Sequence, residues 1–259
     1  MTRPLALITG ATAGIGAQFC RSLAARGYDL VGVARDGARL DALATELAPL
    51  GATLTPLVAD LSTDDGIARV ESTLADGHVS LLVNNAGFGT TGTLVSADAT
   101  QQRAMLTLHV EAVHRLTRAA LPGMLAARRG GVIVVASVAG FLSSGGNVNY
   151  CATKTWQRVF VQGLHQELAG SGVHVQALCP GFTTTEFHAR MGFDQRGRTP
   201  AWMWYPAEFV VRASLDAIAR GGPVIVIPGA VYKAVVFLAR HLPLWMVERL
   251  NGVYRRDTV

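Results

Sequence analysis

Tyr150 and Lys154 stand four residues apart in the stretch NYCATK (149–154), in a chain with five tyrosines and few lysines. On a helix that spacing puts both side chains on one face. A free tyrosine loses its proton near pH ~10, too high for efficient acid/base work near neutrality. A lysine ammonium one turn away can stabilise the tyrosinate and bring that proton within reach. The same pair also fits an inert, exposed turn of helix, so the choice rests on what the remaining residues build around it.

Short apolar runs recur between segments of helical periodicity. LALIT (5–9), LVGVA (30–34), LTPLVA (54–59), SLLV (80–83), VIVVA (132–136), VHVQAL (173–178) and PVIVI (223–227) have the length and composition of buried strands. Intervening segments such as AQFCRSLAARG and ARLDALATELAPLG carry apolar residues at helical spacing and end at glycine. This alternation implies an α/β fold: a doubly wound, mostly parallel seven-stranded sheet with helices on both faces. No Ser/Gly-rich linker or internal repeat interrupts the chain, so residues 1–259 are expected to form a single domain. Ligands of such sheets bind outside the carboxyl ends of the strands.

Bulk properties narrow the function classes. Half the residues are hydrophobic and 16% are charged, which supports a sizeable core and excludes global disorder. The net charge of +5 is not clustered; Arg128-Arg129 and Arg255-Arg256 are the densest basic spots, and no nucleic-acid partner is expected. The apolar run in MTRPLALITG is too short for a signal peptide or a membrane span. Cys20, Cys151 and Cys179 have neither metal-ligand spacing nor a pairing pattern. They imply reduced thiols in a cytoplasmic protein, with no metal site.

The carboxyl ends of the strands carry the remaining chemistry. The first runs into TGATAGIG (9–16), where Gly10, Gly14 and Gly16 permit a tight turn opening a helix whose N-terminus attracts phosphate oxygens. At that place in the first βα unit the pattern points to a dinucleotide site rather than a plain turn. The second strand ends at Ala34, where an NAD site usually offers a carboxylate, and Arg35 follows, able to pair with a 2′-phosphate. NADP(H) is therefore preferred over NAD(H), with Asp36 expected to cap the next helix. Asp60, after the third strand, either holds the adenine amino group or caps the helix near Asp64. The fourth strand ends in Asn84-Asn85-Ala86-Gly87, which is either ordinary turn chemistry or part of the crevice.

Taken in order, TGATAGIG (9–16), the aspartate after strand three, NNAG (84–87), the serine of VVASVAG (134–140), YCATK (150–154) and PGFTTT (180–185) resemble the short-chain dehydrogenase/reductase family in its compact single-domain branch. The matching stretch runs roughly from residue 5 to 230. The resemblance implies a Rossmann-like sheet and hydride transfer between a nicotinamide and a carbonyl or alcohol. It assigns Tyr150 as proton donor and acceptor, Lys154 as its partner and Ser137 as the anchor of the substrate oxygen. A hydroxyl at Ser137 can hydrogen-bond that oxygen as it gains charge.

For the cofactor the resemblance implies Gly10, Thr12, Gly14, Ile15 and Gly16 in the first turn, with Arg35 and Asp60 beyond it. Asn85, Ala86 and Gly87 follow, then Tyr150 and Lys154. Pro180, Gly181, Thr183 and Thr185 complete the set, Thr185 lying near the carboxamide. In one place the chain departs from the family. The helix after strand four usually carries an asparagine that supports a water chain to the lysine; in MLTLHVEAVHRL that position is His109. A histidine there either relays protons or is a satisfied core residue.

The family uses residues 182–206 or so as a substrate lid. Here that stretch holds Phe187, Met191, Trp202, Met203, Trp204 and Tyr205, which either pack the loop down or line a pocket for a lipophilic carbonyl or alcohol substrate. A C-terminal helical extension over about 231–259 mixes apolar residues with Lys233, Arg240, Arg249 and Arg255. It is expected to serve as a contact in a homodimer or homotetramer or as a flap over the pocket, with a peripheral membrane contact as the alternative. The competing function is a non-catalytic NADP-binding regulator of the same fold. Intact Ser137, Tyr150 and Lys154 argue against it.

Overall fold

The computed structural model describes residues 3–90, 92–186, 199–243 and 246. Its sheet is built from β1 (Leu5–Thr9), β2 (Asp29–Ala34), β3 (Leu54–Val58), β4 (Val79–Asn84), β5 (Gly130–Val135), β6 (Val173–Leu178) and β9 (Ile225–Val226). The order is β3-β2-β1-β4-β5-β6-β9, and every pairing is parallel. The winding reverses between β1 and β4, the crevice where this architecture takes its ligands. β9 is shorter than the apolar run 223–227, because only Ile225 and Val226 find register partners on β6.

Strands covered on both faces must be apolar on both, and alternate residues divide between two cores. Leu7, Val31, Val33, Leu82 and Val132 face one side, where α3 (Asp64–Ala75), α5 (Ala112–Ala126) and α6 (Val148–Glu167) pack through residues such as Ile67, Leu116 and Val161. Ala6, Ile8, Leu30, Leu81 and Val83 face the other, covered by Phe19 and Leu23 of α1 (Gly14–Ala25), Leu40 and Leu43 of α2 (Gly37–Leu47), and Val211 and Leu215 of α7 (Ala207–Ala219).

The helix starts follow local chemistry. Asp36 caps α2 by accepting from the Arg39 N–H at 3.1 Å, as its place in the sequence implies. Thr63 caps α3 by accepting from the Gly66 N–H at 3.1 Å, so the capping alternative for Asp60 is set aside. No side chain caps α1, whose first turn is left open toward the glycine turn.

Between α4 (Ala99–Leu106) and α5 the helix widens into a single π turn, Thr107–Glu111, closed by the Ala112 N–H on the Thr107 carbonyl. His109 sits in this turn. After β6 a second, two-stranded ladder pairs β7 (Thr183–Thr184) with β8 (Tyr205–Pro206). Helix α8 (Ala230–His241) opens the C-terminal extension. Among the described residues no helix is long and apolar enough to cross a membrane.

Candidate active site

The glycine turn owes its shape to close approach. Gly10 and Gly14 take φ of 66° and 52°, left-handed values that favour glycine. A Cβ on Gly16 would collide with the Gly10 carbonyl oxygen and lie 2.5 Å from Asn85 Nδ2. The turn is thus pressed directly onto the NNAG loop, with Ile15 packed against the core beneath it. Thr9 Oγ1 accepts from the backbone N–H groups of Asn85 and Ala86, both at 2.9 Å, and donates to the Val83 carbonyl at 3.3 Å. Asn85 Nδ2 in turn donates to the Thr9 and Gly10 carbonyls at 2.9 and 3.3 Å. The Asn85 amide is therefore a strut inside the cradle rather than a group aimed out of it. Thr9, which sequence reasoning does not single out, is its buried counterpart.

The opposite wall comes from PGFTTT. Pro180 accepts from the Val138 N–H at 3.0 Å, and Thr183 Oγ1 donates to the Gly181 carbonyl at 3.0 Å. Thr185 lies over the glycine turn, 3.1 Å from where a Gly14 Cβ would be. Gly181 is needed because the Tyr232 ring of α8 fills the space that a side chain there would take. Tyr232 accepts from the Phe182 N–H at 2.9 Å and donates to the Met203 carbonyl at 2.8 Å, joining the segments on either side of residues 187–198.

At the tip of β2, Arg35 is exposed and forms no ion pair among the described residues. Its charge reaches Asp60. Burial pushes that carboxyl up, but two hydrogen bonds from Ser62, at 2.9 and 2.7 Å, and the Arg35 charge hold it below the ordinary value.

Ser137 follows β5 in extended backbone and opens a 3₁₀ turn, Val138–Phe141, its Oγ accepting from the Ala139 N–H at 3.1 Å. A Cβ on Gly140 would lie 2.6 Å from the Lys154 carbonyl oxygen, so glycine lets this turn lie against α6. That contact brings Ser137 to the Tyr150 phenol, whose pKa the serine hydroxyl lowers. Loss of solvation pushes the phenol up to about 12, against the lowering effect of Ser137.

Lys154 is 4% exposed, and its Nζ donates to the Val135 carbonyl at 2.8 Å and to Gln157 Oε1 at 3.0 Å. It stands 5.8 Å from the Tyr150 ring centroid. Burial lowers the ammonium to about 7. Desolvation is the largest influence on the phenol in this structure.

His109 is fully buried. Its Nε2 accepts from the Phe88 N–H at 3.2 Å, so Nδ1 carries the proton and meets Thr153 Oγ1 at 3.0 Å; that hydroxyl donates to the Tyr150 carbonyl at 3.0 Å. Desolvation and then the Lys154 charge drive the imidazole well below its usual value. Both nitrogens are occupied and the ring stays neutral, a geometry that matches the satisfied-core alternative. Gly87 allows the approach, since a Cβ there would lie 2.8 Å from His109 Nε2 and 3.7 Å from Lys154 Nζ.

The crevice thus gathers the first turn with Thr12, the NNAG turn, Ser137, Tyr150, Lys154 and the PGFTTT loop. Phe187 and Met191 lie outside the described residues, as do Arg249 and Arg255. The short chain dehydrogenase family matches residues 4–195. The chain belongs to that family. As a short-chain dehydrogenase it is 32% identical to the 3-oxoacyl-[acyl-carrier-protein] reductase FabG of Escherichia coli (strain K12), over 74% of this chain and 78% of that one. A short-chain dehydrogenase from Sphingobium yanoikuyae in complex with NADPH superposes with a TM-score of 0.82 at 35% identity, covering 97% of this chain and 94% of that one. The bulky-bulky ketone specific alcohol dehydrogenase from Comamonas testosteroni gives 0.79 at 31% identity, over 94% and 96% of the two chains. A relative from Burkholderia phymatum in complex with NAD gives 0.80 at 26% identity, over 91% and 92%. The protein is an oxidoreductase of this family.

Proposed function

We propose that the protein is an NADP(H)-dependent reductase or dehydrogenase that moves a hydride between a nicotinamide and the carbonyl or alcohol carbon of a lipophilic substrate. The observation that carries the reading is the convergence of Ser137, Tyr150 and Lys154, with Lys154 Nζ 5.8 Å from the Tyr150 ring centroid, beside a cradle only glycine can form.

The residues present fit a dinucleotide. Gly10, Gly14 and Gly16 let the turn close tightly against Asn85, Ala86 and Thr185, which leaves the uncapped start of α1 for a pyrophosphate, with Thr12 and Ile15 in the same turn. Arg35 favours a 2′-phosphate, because Ala34 offers no carboxylate to compete and Asp36 is committed to its cap. Asp60 borders the adenine side, while Pro180, Gly181, Thr183 and Thr185 form the nicotinamide wall. When bound, the cofactor supplies or accepts the hydride.

The chain's own residues handle the proton and the oxygen. Ser137 donates to the substrate oxygen and orients the phenol; Tyr150 gives its proton to that oxygen during reduction and takes it back during oxidation. The ammonium of Lys154 favours the tyrosinate that remains. Phe182 stacks on Trp204 at 5.1 Å between ring centroids, and Trp202 is 64% exposed, so the lid presents aromatic surface to a bulky carbonyl compound.

The test is oxidation of NADPH and of NADH against ketones of graded bulk. Carbonyl-dependent turnover with NADPH, rising with substrate bulk, is the expected result. No turnover with any carbonyl compound, or a clear preference for NADH, overturns the corresponding part of the proposal.

A further inference from the structure

Gln157 lies almost one helical turn beyond Lys154 on α6 and is 1% exposed. A buried primary amide must satisfy both its ends. Its Oε1 accepts from Lys154 Nζ at 3.0 Å, and its Nε2 donates to the backbone carbonyl of His109 at 2.8 Å. The flipped amide would set NH₂ against the ammonium and oxygen against oxygen, so its two partners define its orientation. The accepting carbonyl belongs to the π turn, where the ladder is displaced by one residue.

The geometry points to Gln157 as a positioning residue of the proton-transfer site, holding the Lys154 ammonium in place and charged while braced by the π turn. This rests on the reading of Lys154 as the partner of Tyr150 in a reductase. An ammonium carries three protons. The Val135 carbonyl and Gln157 take two of them, leaving the third for the crevice.

The surroundings make this acceptor matter. Tyr150 faces Lys154 from the same helix, His109 from the π turn and Cys179 from the end of β6. Arg158, further along α6, acts on Cys179 and is not among the groups shifting Lys154. His109 stays neutral, and burial pushes the Cys179 thiol up to about 12. None of these supplies a countercharge near neutral pH. Burial holds Lys154 at about 7, so one acceptor gained or lost decides how much of the ammonium persists.

The chain has two lysines, Lys154 and the exposed Lys233, so ¹³C-lysine labelling gives two resonances with an internal reference. The experiment titrates wild type, Gln157→Met and Gln157→Glu by NMR, alongside the pH profile of kcat with NADPH and a ketone. Gln157→Met keeps the length but removes the acceptor. The Lys154 midpoint and the alkaline limb of kcat are expected to fall by about one pH unit. Gln157→Glu places a carboxylate beside the ammonium, and both are expected to rise. A packing role would lower kcat or Tm in both variants without moving either midpoint. The sign of the shift in either variant is decisive if the other does not fold. Unmoved midpoints, or shifts of the same sign, in an active enzyme overturn this inference alone. Opposed NMR shifts in a chain that reduces no carbonyl compound overturn the functional reading and leave the Lys154–Gln157 relationship standing.

Discussion

The side-chain amide of Asn85 donates to the Thr9 carbonyl at 2.9 Å, while the Thr9 hydroxyl accepts from the Asn85 N–H at the same distance. This reciprocal pair ties the turns after β1 and β4 across the switch point. Asn85→Leu removes the strut and crowds a cradle in which a Gly16 Cβ would already touch the amide. The variant is expected to bind NADPH at least tenfold more weakly and to lose about 1–3 kcal/mol of stability from the unsatisfied Thr9 and Gly10 carbonyls. Fluorescence titration with NADPH and the urea midpoint check both; a variant with unchanged affinity means the strut does not shape the cradle.

Tyr150→Phe keeps the ring and removes the group that exchanges the proton. Turnover is expected to fall by roughly 10²-fold or more, with NADPH affinity nearly unchanged. Steady-state kinetics and a binding titration on one preparation separate the two. Near-normal kcat would remove Tyr150 from the chemistry.

Arg35 is exposed, and its charge acts on Asp60. A charge-assisted contact to a 2′-phosphate contributes about 1.5–3 kcal/mol, so Arg35→Ala should raise the Kd for NADPH about tenfold or more. The Kd for NADH should stay nearly constant. Equal losses for both dinucleotides would make Arg35 structural.

The neutral, buried His109 predicts a pH dependence of stability rather than of rate. Unfolded histidine binds a proton below about pH 6.5, whereas the folded ring resists it until well below that value. The unfolded state then holds more protons, so the His109 contribution is complete above about 6.5 and declines as pH falls, by up to about 1.4 kcal/mol per unit. Urea midpoints between pH 5 and 8 should slope downward toward acid in wild type and less steeply in His109→Asn. The kcat profile of wild type should contain no step near 6.5 from this residue. Parallel slopes in the two proteins would contradict the burial argument.

The strands are legible because a parallel sheet demands apolar residues on both faces, and runs such as LALIT and VIVVA answer that demand directly. The positions of Ser137, Tyr150 and Lys154 follow from motif order. Other features arise from contacts that linear spacing does not encode. The β7–β8 ladder has two residues per strand and no periodicity to read. Asn85 falls at the crevice on motif grounds, but a turn motif says where a side chain starts and not which way it points. Gln157 meets a backbone carbonyl 48 residues away, a partner without any residue-type signature. His109 looks able to relay protons in the sequence because its neighbours Phe88 and Thr153 arrive only with the tertiary fold.

The π turn at Thr107–Glu111 also acts as an angular spacer. An α-helix rotates about 100° per residue, so an added residue offsets the helical segments on either side by that angle. α4 can therefore aim Gln102 at Thr90 and Asn149, beside the mouth of the crevice, while α5 keeps Val113, Leu116 and Ala120 flat on the sheet. Wall and core are geared separately. Deleting one residue of the turn would screw α4 around by that increment and carry Gln102 off its partners. The same turn thus sets the angle of the entrance wall and, through the His109 carbonyl, the brace behind Lys154.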